Sequence, residues 1–155
     1  MKRSVEPDQA LPSFGSIDFQ KGYLMQFIDL VALLAVFQYL FFGFSVGGQR
    51  RESGLKAPAM TGHDGFERMY RVQMNTLECL IAFLPVLFLA SKYWPVFLVA
   101  PIGIVYLVGR MLYWKAYVTN PSSRALGFML SLLPIAALLI LACVGALLSL
   151  AGITF

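Results

Sequence analysis

The sequence predicts an all-α integral membrane protein, a four-helix bundle running up-down-up-down. Four apolar runs occupy residues 23–46, 66–91, 95–118 and 124–150. Each is near or above the roughly 20 residues that a helix needs to cross a bilayer. Hydrophobic residues make up 59% of the chain and charged residues 13%, where a soluble domain carries about a quarter charged. The connections are short and turn-like, except for one loop at residues 47–65.

Residues 1–22 read as an N-terminal tail, part of it on the membrane surface, and residues 23–155 as the four-helix domain. Met1-Lys2-Arg3 leads into polar sequence and not into the apolar stretch of a cleavable signal. The first span carries a lone acid, Asp29, read as an interfacial carboxylate, and Gln38, a candidate interhelical hydrogen-bonder. The loop that follows holds Gly47-Gly48, Arg50-Arg51, Lys56 and Pro58 and has no apolar periodicity. The second and third spans are joined only by Ser91 to Trp94, with Pro95 opening the next helix, so they form a hairpin. The third and fourth are joined by Asn120-Pro121-Ser122-Ser123, whose serines are placed to cap the last helix. Pro85, Pro101 and Pro134 lie inside spans, where proline kinks a helix. Lys and Arg concentrate beside loop 47–65 and turn 119–124. The positive-inside rule therefore places that loop in the cytoplasm and both termini on the opposite side.

Several function classes drop out. The net charge is only +4, with no basic run interleaved with aromatics, which argues against nucleic acid. Cys79 and Cys143 both sit in apolar runs, so no disulfide framework follows. His63 is the only histidine, and without a His/Cys/carboxylate cluster a metal site is not expected.

The second span opens with Phe66-Glu67-Arg68-Met69-Tyr70-Arg71-Val72-Gln73-Met74-Asn75-Thr76-Leu77-Glu78. Arg68, Arg71, Asn75 and Glu78 are three, four and three apart and share one helix face. Charge inside a bilayer is expensive and turns toward protein or a watery cavity. A Glu67–Arg71 pair that only joins helices would account for part of this stripe, but not for Arg68 or Asn75. The third span has its own stripe, Tyr106, Arg110, Tyr113 and Tyr117, and Arg124 follows seven residues later. An aromatic belt would explain Tyr113 and Tyr117 but not Arg110. The two stripes converge near the end where Arg50, Arg51 and Arg124 lie. Arginines clamp carboxylates or phosphates, and the carboxylate of Glu78 among them suits an ammonium. A small zwitterion with several carboxylates fits; so does a phosphate-bearing lipid headgroup.

These residues resemble the MAPEG family, the membrane-associated proteins of eicosanoid and glutathione metabolism. Phe66 to Glu78 is similar to that family's E-R-x-x-R-x-x-x-N-x-x-E signature. Tyr70-Arg71-x-Gln73-x-Asn75 points to the branch of leukotriene C synthase and microsomal glutathione transferase type 2. Arg50-Arg51 stands at that branch's loop arginine pair, and Val105 to Tyr117 resembles its third helix, with Arg124 in register. The resemblance implies a homotrimer with glutathione, as co-substrate, held between neighbouring subunits. It implies that Arg71, Asn75, Glu78, Tyr113 and Tyr117 bind glutathione from one subunit. Arg50 and Gln73 would reach in from the next, Arg124 would face the thiol, and Arg51 would assist near a lipophilic second substrate. The non-catalytic relative that activates a lipoxygenase lacks the second arginine of the signature, whereas Arg71 is present here. Cys79 stands where the leukotriene synthase has a tyrosine, and Ala136 where it has a tryptophan over the lipid tail. Both departures point away from leukotriene specificity. Ala125 follows Arg124, where the prostaglandin-forming branch has a serine, which weakens that isomerase reading. The expected function is a membrane glutathione transferase, with peroxidase activity possible on the same site. The alternatives are a non-catalytic lipid-binding scaffold on the same fold and a small transport or channel subunit.

Overall fold

A computed structural model describes residues 14–153, with side chains from Met25 onward. The expected tail at 1–22 therefore lies, over residues 1–13, outside the described residues. Four helices follow in order: α1 Phe14–Ser53, α2 Asp64–Tyr93, α3 Val96–Thr119 and, after a 3₁₀ turn at Pro121–Arg124, α4 Ala125–Leu150. Among the described residues there is no strand. All four helices are long and apolar enough to cross a membrane.

Helix α1 is longer than expected at both ends, 40 residues in all. It takes in Phe14 to Gly22, and it runs through Gly47-Gly48 to Ser53. Arg50 and Arg51 therefore sit on its last turn and not in a loop. Two glycines weaken a helix by about 1 kcal/mol each, but one effect favours continuing. Cations in the last turn complement the carbonyl end of the helix dipole. The stop comes at Gly54, whose φ of +69° supplies the left-handed residue that closes a helix, with its N–H donating to the Arg51 carbonyl at 3.3 Å.

Helix α2 starts at Asp64, capped by His63, whose Nδ1 accepts from the Phe66 N–H at 3.4 Å. Asp64 and Glu67 lie in its first turn, where negative charge suits the dipole. Glu67 reaches back to the loop and accepts from the Gly62 N–H at 2.8 Å. The Glu67–Arg71 pair considered above is not formed. Among the described residues the one ion pair is Arg68–Asp64, at 3.8 Å. Arg68 also donates to the Val118 carbonyl at 3.2 Å, tying α2 to the end of α3. The turn before α4 is organised by Asn120 and not by serine caps. Its Oδ1 accepts from the Ser122 N–H and hydroxyl, at 3.2 and 2.7 Å, while Ser123 donates to its carbonyl. The helices continue through Pro85, Pro101 and Pro134.

Two apolar clusters hold the helices together. One is built around Ile28, Phe83, Leu87, Val99 and Leu138, with Tyr106 stacked on Phe83 at 3.8 Å between centroids. The other, around Phe42, Phe66, Met69, Val72 and Tyr113, lies toward the loop end. Gln38 bridges α1 to α3 as expected, donating to the Leu107 carbonyl at 3.0 Å. Large apolar side chains such as Phe37, Phe44 and Phe97 point outward, as suits helices that face lipid.

Helices α3 and α4 meet backbone to backbone at Gly109 and Gly127. A Cβ at 109 would stand 2.6 Å from the Leu130 carbonyl oxygen, and one at 127 would fall on the Tyr113 backbone nitrogen. Small residues permit such close crossings in membrane bundles. This crossing sets how near Arg124 comes to Tyr113 and Tyr117. Gly127→Ala should therefore destabilise the protein by about 1–3 kcal/mol, the usual range for overpacking. Gly47→Ala, where a Cβ would meet nothing within 4 Å, should be neutral or slightly stabilising. Thermal midpoints in one detergent compare the two; an unshifted midpoint for Gly127→Ala would contradict the crossing.

Candidate functional site

Helical spacing puts Arg71 and Asn75 one turn apart on α2, and Tyr113 and Tyr117 one turn apart on α3. The Arg68 bond to Val118 holds these two helix ends side by side. The turn carrying Ser122 and Arg124 closes the third side. Together they line an open groove of 810 Å³, with Ala125 and Phe128 as its apolar flank. Tyr113 and Tyr117 lie 5.4 Å apart between ring centroids. The Arg124 guanidinium stands 5.5 Å over the Tyr117 ring and donates to the Pro121 carbonyl at 2.9 Å. Arg71 has no hydrogen-bonding or ionic partner among the described residues and is exposed in the groove. A smaller cleft of 280 Å³, lined by Asp64, Glu67 and Arg68, adjoins it through Arg71 and Tyr117.

The groove thus presents two guanidinium groups with no carboxylate on them among the described residues, two phenols, an amide and a hydroxyl. Such a surface recognises an anion with several acceptors. Glu78 is not on its lining. It sits one turn further along α2, exposed, accepting from Asn75 Nδ2 at 3.4 Å. Arg50 is not on the lining either. It donates to the Ala59 carbonyl at 2.8 Å and lies 4.4 Å over the Phe66 ring. Arg51 is exposed at the end of α1, and Gln73 packs half-buried against Gly43. Within this chain, then, Arg71, Asn75, Tyr113, Tyr117 and Arg124 share a groove, while Arg50, Arg51, Gln73 and Glu78 lie outside it.

The sequence flagged Arg110 as an unexplained charge and gave it no role. In the structure it is 0% exposed. It donates to Thr76 Oγ1 at 2.7 Å and to Asn75 Oδ1 at 3.0 Å, and lies 4.3 Å over the Tyr113 ring. Cys79 Sγ is 3.9 Å from the same guanidinium. Thr76 was missed altogether. Its only signal was a hydroxyl one position beyond Asn75, on the face toward α3.

Residues 28–144 match the sequence profile of the MAPEG family. The chain belongs to the MAPEG family. Among MAPEG-like relatives, a Synechocystis protein described as uncharacterised is 42% identical over 120 residues, covering 77% of this chain and 85% of its own length. Human microsomal glutathione S-transferase 2 is 35% identical over 115 residues, covering 74% of this chain and 78% of its own. Leukotriene C4 synthase of Cavia porcellus is 34% identical over 117 residues, covering 76% and 78%. The MAPEG match runs from α1 into α4 and so includes every residue of the groove.

Proposed function

We propose that this MAPEG protein is a membrane-bound glutathione transferase, acting as a homotrimer of up-down-up-down subunits. The observation that carries the reading is the groove of Arg71, Asn75, Tyr113, Tyr117 and Arg124, whose two guanidinium groups have no carboxylate on them among the described residues. Relatives named as glutathione S-transferase and leukotriene C4 synthase support it.

In this reading Arg71 holds a glutathione carboxylate, Asn75 donates to it, and Tyr113 and Tyr117 bind the peptide backbone. Glu78 takes the ammonium, while Arg50 and Gln73 approach from the neighbouring subunit. Arg124 faces the thiol, and Arg51 assists near the second substrate. A free thiol has a pKa near 8.5, so only a few per cent is ionised at pH 7. A guanidinium beside the sulfur stabilises the anion. Lowering the pKa by about two units needs roughly 2.7 kcal/mol of differential interaction, within reach of a partly desolvated charge. The thiolate attacks an electrophilic carbon of a lipid-soluble partner. A carbon–sulfur bond forms, and the leaving group or epoxide oxygen departs with the bonding pair. In the peroxidase variant the thiolate attacks the hydroperoxide's terminal oxygen, and the O–O bond breaks with the alkoxide leaving as the alcohol. A second glutathione then converts the resulting sulfenic acid to the disulfide with loss of water. The apolar partner enters from the bilayer, and the groove faces the cytoplasm with the loop between α1 and α2.

The test uses purified protein in mild detergent with glutathione and a generic aryl halide electrophile. Conjugation above the uncatalysed rate, at a particle mass of three subunits, is expected. Glutathione binding without conjugation would favour the lipid-binding scaffold. A monomer that binds glutathione fully would defeat the shared-site arrangement.

A further inference from the structure

We infer that Arg110 is a positioning residue that turns Asn75 into a donor-only contact of the groove; this rests on the glutathione reading above and falls with it. An arginine sealed inside a membrane bundle is costly unless its donors are satisfied. Arg110 is 0% exposed and is absent from the groove lining. No carboxylate among the described residues pairs with it. It is held by neutral groups only, Thr76 Oγ1 at 2.7 Å, Asn75 Oδ1 at 3.0 Å and the face of Tyr113 at 4.3 Å.

The bonds around it have one direction. The Thr76 hydroxyl donates to the Val72 carbonyl at 2.6 Å, so its lone pairs are left for Arg110. Arg110 in turn occupies Asn75 Oδ1, which leaves the amide's two N–H donors for the outside, one of them toward Glu78 Oε2 at 3.4 Å. A flipped amide would set N–H donors against a buried guanidinium, which is repulsive. Asn75 therefore offers only hydrogen-bond donors to whatever fills the groove, and it selects an acceptor such as a carboxylate or carbonyl oxygen. The same guanidinium fixes the Tyr113 ring from below. Arg110 acts on the ligand without touching it.

The test is a double-mutant cycle read by calorimetric glutathione titration of the detergent-solubilised oligomer. Arg110→Lys keeps the charge, but a single ammonium lacks the planar fork that holds Thr76 and Asn75 together. Asn75→Ala alone should weaken binding roughly tenfold, and so should Arg110→Lys, while the double variant should be no more than about twofold worse than either. Losses that multiply would mean the two residues act independently and would overturn the inference. Should Arg110→Lys fail to assemble, Thr76→Val decides the matter. It preserves shape outside the groove, should weaken binding about threefold, and should shrink the further cost of Asn75→Ala. Unchanged affinity in Thr76→Val, with a full additional loss from Asn75→Ala, overturns the inference. Wild-type protein that binds no glutathione sinks the transferase reading instead, and this inference with it.

Discussion

Arg124→Ala should lose conjugation rate mainly near neutral pH. If Arg124 holds the bound thiol about two units below its free value of 8.5, the thiolate fraction at pH 7 falls roughly 25-fold without it. The sign follows from which form the guanidinium favours. It stabilises the anion, so its fold-benefit is fully present below about pH 6.5, is still large at pH 7, shrinks toward pH 8.5 and vanishes above the free thiol's pKa, where hydroxide ionises the sulfur anyway. The variant's pH–rate curve should therefore rejoin the parent's at high pH, and thiolate absorbance of the complex should fall in parallel. Arg124→Lys should rescue only partly, because an ammonium is a point charge without the planar fork. Glutathione affinity should change less than turnover, as for a group acting chiefly in the chemical step. Arg124 is exposed, anchored to Pro121 and lying over Tyr117, so its loss leaves the helix crossing untouched. A profile parallel to the parent's at all pH values would transfer the role to Arg51 or Tyr113.

The second large effect is on binding. Arg71→Ala should weaken glutathione by about 2–4 kcal/mol, because a carboxylate is then desolvated against no counter-charge. Arg71 makes no contact that the fold needs among the described residues, so the thermal midpoint should hardly move. Glu78→Gln should cost a similar amount if Glu78 takes the ammonium, although Glu78 lies beside the groove and bonds Asn75. Calorimetric titration of both variants, with particle mass checked in the same samples, separates binding from assembly. Normal binding in both would leave the polar stripe as a device for joining helices.

Much of this molecule is legible along the chain. Apolar runs of membrane length announce four helices, since a bilayer admits a backbone only when its polar groups bond within the segment. The three- and four-residue spacings of Arg71 with Asn75 and of Tyr113 with Tyr117 show that each pair shares a face. Helix ends were less legible. Gly47-Gly48 looked like a break, but a helix stops where a left-handed residue and its capping bond are both supplied, and that happens at Gly54. The serines after Pro121 looked like caps, but the side chain that accepts is Asn120.

Which polar residues meet could not be read from spacing. Arg50 and Arg71 both stand near the loop end, yet they do not share the groove. Arg50 bonds the Ala59 carbonyl, and Arg71 is left open to the groove. Arg68, on the same stripe as Arg71, serves the end of α3 instead. Arg110 and Thr76 join only because α3 packs on α2 with those positions facing. The sequence by itself determined the membrane class, the helices, the family and the chemical character of each face. Only the tertiary structure decided which faces meet and at what distance. That decision rests on backbone contacts at Gly109 and Gly127 and on single side-chain bonds between helices 34 to 69 residues apart in the chain. Helical periodicity repeats every few residues and carries no information about partners so far away.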